Sequence, residues 1–180
     1  MRNAGVAAEM DAISRGATAA LGRAAPGEAL ASLNPANRQI VLSTASTARN
    51  ALPAALQSKT VSVAGEVQTL SGWAANARVS DFTRVSPQAV MGLSAEIGYP
   101  LRGAGAFDRG VFGQYFASHA ERQQALLGSR TMDITQPMCQ DCVGFFQALS
   151  RARGVPYAIQ EPAATRLFLP SGTVVTVVTP

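Results

Sequence analysis

Apolar residues along this chain switch between two periods. Over residues 37–57, Ile40, Val41, Leu42, Ala45, Ala48 and Leu52 recur near the spacing of a helix, which Pro53 breaks or kinks. A second helix is expected from Pro87, with Ser86 as its N-cap and Ala89, Val90, Leu93 and Ile97 along it. A third covers 119–127 and stops at Gly128. A fourth runs from about 140 to 153 with Val143, Phe146 and Leu149 on one face. Arg151 and Arg153 fall in its last turn, Gly154 suits its end, and Pro156 follows. Elsewhere the period drops to two. Residues 60–63 and 67–70 alternate around Ala64, Gly65 and Glu66 as a hairpin. Residues 131–136 and 157–159 read as strands, and 166–169 and 173–178 form a second hairpin about Pro170, Ser171 and Gly172.

This order, with strands and helices interleaved, predicts an α/β domain. Residues 1–34 are rich in alanine and interrupted by Gly16, Gly22, Pro26 and Gly27, which reads as a helical leader or linker, leaving 35–180 as the folded domain. The start of the chain has no charged segment followed by a long apolar run, so no signal peptide is expected. No apolar stretch approaches a membrane span. Glycines at 103, 105, 110 and 113, with Phe107, Phe112, Tyr115 and Phe116, form an aromatic loop that leads into residue 119. It lacks a Gly-Lys-Ser/Thr element and the dinucleotide glycine spacing, so a phosphate loop is excluded.

The formal net charge is +4, and Lys59 is the only lysine. Arginine grips phosphate through a planar fork, so the balance favours a polyanionic partner. A coding bias toward arginine would give the same composition. Arg102, Arg109 and Arg122 are candidates for phosphate contacts.

The chemistry concentrates in two short motifs. The chain has one histidine and two cysteines. His119 opens His119-Ala120-Glu121, and Cys139 and Cys142 close Pro137-Met138-Cys139-Gln140-Asp141-Cys142. One imidazole and two thiolates are good zinc ligands, and a fourth position stays open for water. A closed Cys/His structural zinc site is disfavoured because no further Cys or His exists. A redox dithiol would leave the histidine motif unexplained, and metal binding requires reduced thiols. For Glu121 a structural role competes. Ser118-His119-Ala120-Glu121 fits a capping box, in which the serine caps the helix and the glutamate reaches back to it.

His-x-Glu followed by Pro-x-Cys-x-x-Cys resembles the zinc-dependent nucleobase deaminase signature. The run from His119 to Leu126 is similar to the His-x-Glu-x-Gln-x-Ala-Leu stretch of bacterial toxin deaminases, and Cys139 to Val143 to their second motif. Met138 departs from the usual adjacency of proline and cysteine. The resemblance implies a cytidine deaminase-like three-layer fold, with a mixed five-stranded sheet, helices on its faces and an antiparallel C-terminal hairpin. It implies Zn2+ held by His119, Cys139 and Cys142, with Glu121 moving protons as cytosine becomes uracil. It also implies a nucleic-acid substrate, single-stranded DNA above others, with Asn76, Tyr115, Phe116, Ser118 and Pro137 as candidate substrate contacts. The same resemblance implies the toxin domain of an interbacterial effector, delivered by a specialised secretion system into the target-cell cytoplasm, with a cognate immunity protein in the producing cell. RNA, duplex DNA or free nucleosides as substrate remain open at this point, as does a non-catalytic zinc-stapled binding module.

Overall fold

The computed structural model describes residues 44–73, 79–101, 107–108 and 111–178. The expected leader over 1–34 and the candidates Asn76, Arg102 and Arg109 lie outside these residues. Residues 44–50 are helical, and a single 3-10 turn, Ala54–Leu56, follows Pro53. Then come β1 (Val61–Ala64), β2 (Val67–Leu70), α1 (Pro87–Glu96), α2 (Gln114–Ala117), α3 (Ala120–Leu126), β3 (Thr131–Ile134), α4 (Gln140–Arg153), β4 (Tyr157–Glu161), β5 (Ala164–Phe168) and β6 (Val174–Val178). No described helix is long and apolar enough to cross a membrane.

Local chemistry sets several of these boundaries. The Ser86 hydroxyl accepts the Ala89 N–H at 3.0 Å, and Pro87 sits where a missing N–H costs nothing. Helix α4 ends on Gly154 in the left-handed region, at φ +65°, which a side chain would disfavour.

The sheet has six strands in the order β2-β1-β3-β4-β5-β6, rather than the expected five. All six are segments read as strands from alternation, and the count of five was what the resemblance implied. β6 pairs with β5 along its whole length, from Ala164↔Val178 to Phe168↔Val174, and so extends the sheet. β3 and β4 are parallel, joined through α4, while the other neighbours are antiparallel.

Alternation along the strands divides the core. On one face, Met132, Ile134, Ile159 and Phe168 pack with Phe145, Phe146 and Leu149 of α4. On the other face, Val61, Val63 and Leu70 pack with Ala45, Leu52, Leu56 and Phe82. Helix α3 lies on the α4 side and is tied down by polar groups. The Thr69 hydroxyl donates to the Ala120 carbonyl at 2.7 Å, and the Gln124 amide donates to the carbonyls of Ser62 and Val67. These bonds matter because an unpaired buried carbonyl costs about 1–3 kcal/mol.

This topology brings several chain ends together. The C-terminal end of β3 meets the N-terminal end of β1, where the Val61 N–H donates to the Thr135 hydroxyl and the Thr135 N–H to the Val61 carbonyl. β2 ends at the same edge, since it runs antiparallel to β1. The N-termini of α3 and α4 both open there.

Candidate metal centre and pocket

His119 is the N-cap residue of α3 and Cys139 that of α4, each in extended backbone conformation. Cys142 follows one turn into α4, and its N–H points at the Cys139 sulfur, 3.4 Å away. The His119 Nδ1 lies 3.1 Å from the Cys142 Sγ and 3.6 Å from the Cys139 Sγ. All the ligand atoms of these three residues fall within 4.8 Å of one another. Tetrahedral coordination with bonds of about 2.1 and 2.3 Å would set N and S ligands about 3.5 Å apart, so the donors are spaced for one ion. Among the described residues no other group of three such side chains converges. The group could hold a metal, and its soft donors suit zinc.

Cys142 is fully buried, and burial raises its thiol well above the usual range. Cys139 is half-buried. The hydrogen bond from Cys142 and, against the cost of burial, the His119 imidazole hold its thiol down at about 4. Burial alone would lower the His119 pKa, but Cys139 and Glu121 outweigh it and the pKa rises. The His119 imidazole and the Cys139 sulfur thus favour each other's charged forms.

Glu121 is buried at 4 % exposure and lines a pocket of about 790 Å³ together with His119 and Cys139. The capping box does not form. His119, not Ser118, is the N-cap of α3, and the Ser118 hydroxyl donates to the Tyr115 carbonyl at 2.7 Å, closing the turn of α2. Ser118 still lines the pocket, as do Pro137 and Tyr115. Phe116 does not. It packs with Val90, Leu101 and Ala117, because α2 turns its ring into the body of the fold. The insertion of Met138 is absorbed the same way. Its side chain enters the core, while its N–H donates to Glu161, which also pairs with Arg166.

Arg122 departs furthest from expectation. It is fully buried and cannot reach a phosphate at the surface. Its guanidinium pairs with Asp141 in the first turn of α4, and its Nε donates to the Cys142 sulfur at 3.3 Å. It also lies over the Phe145 ring, 4.8 Å from the centroid. The Tyr99 hydroxyl donates to the other Asp141 oxygen at 3.3 Å. One cation therefore neutralises a carboxylate and donates to a sulfur of the donor group.

Gln123, the glutamine of the His-x-Glu-x-Gln run, was given no role in the sequence reading. Its amide donates to the carbonyls of Leu70 and Ser118, which pins the start of α3 to the end of β2. The signal available was the glutamine two positions after the motif glutamate.

In this α/β domain two helix N-termini present one histidine and two cysteines, a group that could hold a metal ion, beside a pocket that a buried glutamate lines. Residues 68–125 match the family model described as single-strand DNA deaminase toxin A, C-terminal. The matched stretch contains the His119 motif and ends before the cysteine pair. Over it the chain is similar to an SsdA-like deaminase toxin. No curated protein matches the chain.

Proposed function

We propose that the chain is a zinc-dependent cytosine deaminase domain of the cytidine deaminase-like fold, acting on single-stranded DNA as the toxin of an interbacterial effector. The observation that carries this reading is the convergence of His119, Cys139 and Cys142, with His119 and Cys139 lining the pocket that Glu121 also lines. The family match over 68–125 supports DNA as substrate class. In this reading a cognate immunity protein guards the producing cell, and delivery proceeds by a specialised secretion system.

When bound, Zn2+ supplies Lewis acidity that brings the pKa of water toward neutrality. The chain's own residues do the rest. Glu121 accepts a proton from the water that attacks C4 of cytosine and delivers it to ring N3. It then takes the proton of the new C4 hydroxyl and gives it to the exocyclic nitrogen, which leaves as ammonia as the C4 carbonyl forms, so cytosine and water become uracil and ammonia. Glu121 sits in the first turn of α3 without a capping bond to occupy it. Tyr115 flanks His119 edge-on at 5.4 Å between ring centroids, a placement suited to contacting a base in the pocket.

The test compares zinc-loaded protein on single-stranded DNA, duplex DNA, RNA and free nucleosides, read by uracil and inosine detection. Single-stranded DNA should give uracil fastest. Replacing Glu121 with Ala should cut turnover at least about 100-fold, with zinc content and melting temperature retained. Wild-type turnover in that variant sinks the mechanism. A variant that loses its metal or its fold instead favours a structural glutamate in a binding module.

A further inference from the structure

Two large rings stand exposed beside the pocket although burying them would stabilise the fold. Phe107 is 73 % and Tyr115 41 % exposed. Their centroids are 5.2 Å apart with planes tilted by 32°, so together they form a shelf. The shelf leads outward from the donor group, from His119 to Tyr115 to Phe107, and both rings line the pocket. It is also held in place. The buried carboxylate of Asp108, next to Phe107, accepts the Tyr115 N–H at 2.7 Å, and the Asp108 carbonyl accepts the Val111 N–H at 2.9 Å. Gly113 starts α2 at φ +78°, and a Cβ there would sit 3.0 Å from the Cβ of Leu101. The corner carrying the shelf is therefore fixed by one buried side chain and one glycine.

Lys59 lines the same pocket from the segment before β1. Among the described residues no carboxylate forms an ion pair with it. The pocket volume, about 790 Å³, lies toward the upper end of the roughly 300–1,000 Å³ range of small-molecule sites and is generous for one pyrimidine.

We propose that Phe107 and Tyr115 form a stacking subsite for the nucleotide adjacent to the target cytosine, with Lys59 taking a backbone phosphate of the same strand. This rests on the deaminase reading above and adds to it what makes the substrate a polymer. Base stacking on an aromatic face tolerates any base and is strong enough to position a strand. A lysine serves as a point charge for phosphate.

The experiment uses the zinc-loaded chain and Phe107→Ala, Phe107→Trp and Lys59→Gln. Phe107 is so exposed that its loss should leave the melting temperature unchanged. Phe107→Ala should raise KM for a single-stranded oligodeoxynucleotide about 5- to 150-fold, with kcat little altered. Phe107→Trp should restore KM. The penalty should be confined to substrates that carry a neighbouring nucleotide and vanish on deoxycytidine monophosphate. Lys59→Gln should reduce the slope of log affinity against log salt by about 0.7. Anisotropy of a labelled oligonucleotide, measured in a Glu121→Ala background, reads the same affinities without turnover. Unchanged KM and affinity in Phe107→Ala overturn the shelf and leave the deaminase reading intact. Oligonucleotide binding that depends on Phe107, in a protein that deaminates no cytosine, supports the shelf and overturns the deaminase reading.

Discussion

Replacing Arg122 with Met tests the polar support beneath the donor group. The guanidinium is completely buried, pairs with a buried Asp141, donates to the Cys142 sulfur and covers the Phe145 ring. Methionine keeps much of the apolar stem but removes the charge. The Asp141 carboxylate then stays buried with the Tyr99 hydroxyl and without its arginine. Removing one partner of a buried ion pair costs about 3–5 kcal/mol, a large share of the roughly 5–15 kcal/mol that holds a typical domain together. With a urea m-value of about 1–3 kcal/mol/M, the unfolding midpoint should fall by roughly 1–5 M. The assay is urea denaturation at fixed free zinc, because a metal that binds only the folded state adds to stability. A second variant, Arg122→Met with Asp141→Leu, removes the stranded charge and should recover most of the loss, since apolar replacement of a whole buried pair is often neutral or better. A single-variant loss below about 1 kcal/mol, or a double variant no more stable than the single, refutes the reasoning.

Two further outcomes follow from the buried titratable groups. Burial pushes the Asp133 carboxyl up to about 7, against the pull of the Ala45 and Ile134 amides. Its folded-state pKa exceeds the unfolded value, so its contribution to stability is fully present below about pH 4 and is lost as pH rises through about 7. Asp133→Asn should remove that slope, which melts at pH 5 and pH 8 would show; identical slopes in both proteins refute it. In metal-stripped protein, Cys139 should be alkylated by iodoacetamide at a rate nearly constant from pH 8 to about 5, its thiol being held near 4, while the buried, raised Cys142 reacts only on unfolding. Equal labelling of the two, read by peptide mass spectrometry, would contradict the geometry.

Local signals carried well through folding. Ser86 with Pro87, the glycine after Arg153 and the turn at Gly65 mark element ends by backbone chemistry that needs no distant partner. The fourth helix, read at about 140–153, spans Gln140–Arg153. Long-range outcomes were less legible. The β5–β6 hairpin was legible from its turn, but the order β2-β1-β3-β4-β5-β6 and the parallel pairing of β3 with β4 join distant segments, which alternation along one strand does not encode. Ser118 and Glu121 carry a capping-box spacing, yet the helix starts one residue later because the Ser118 hydroxyl is engaged by the turn of α2.

The sequence by itself determined the donor chemistry. A chain with a single histidine and two cysteines has few ways to use soft ligands, and their placement at predicted helix starts was readable from the pattern alone. The tertiary structure decided which neighbours serve that chemistry. Arg122 and Phe107 look like an ordinary surface arginine and an ordinary loop aromatic in the sequence. Folding buries the arginine against a thiol and a carboxylate and leaves the aromatic ring in solvent beside the pocket. Charge and hydrophobicity set what a side chain gains by burial, but only the packing of α3 against α4, and of the corner held by Asp108, sets which residue receives it.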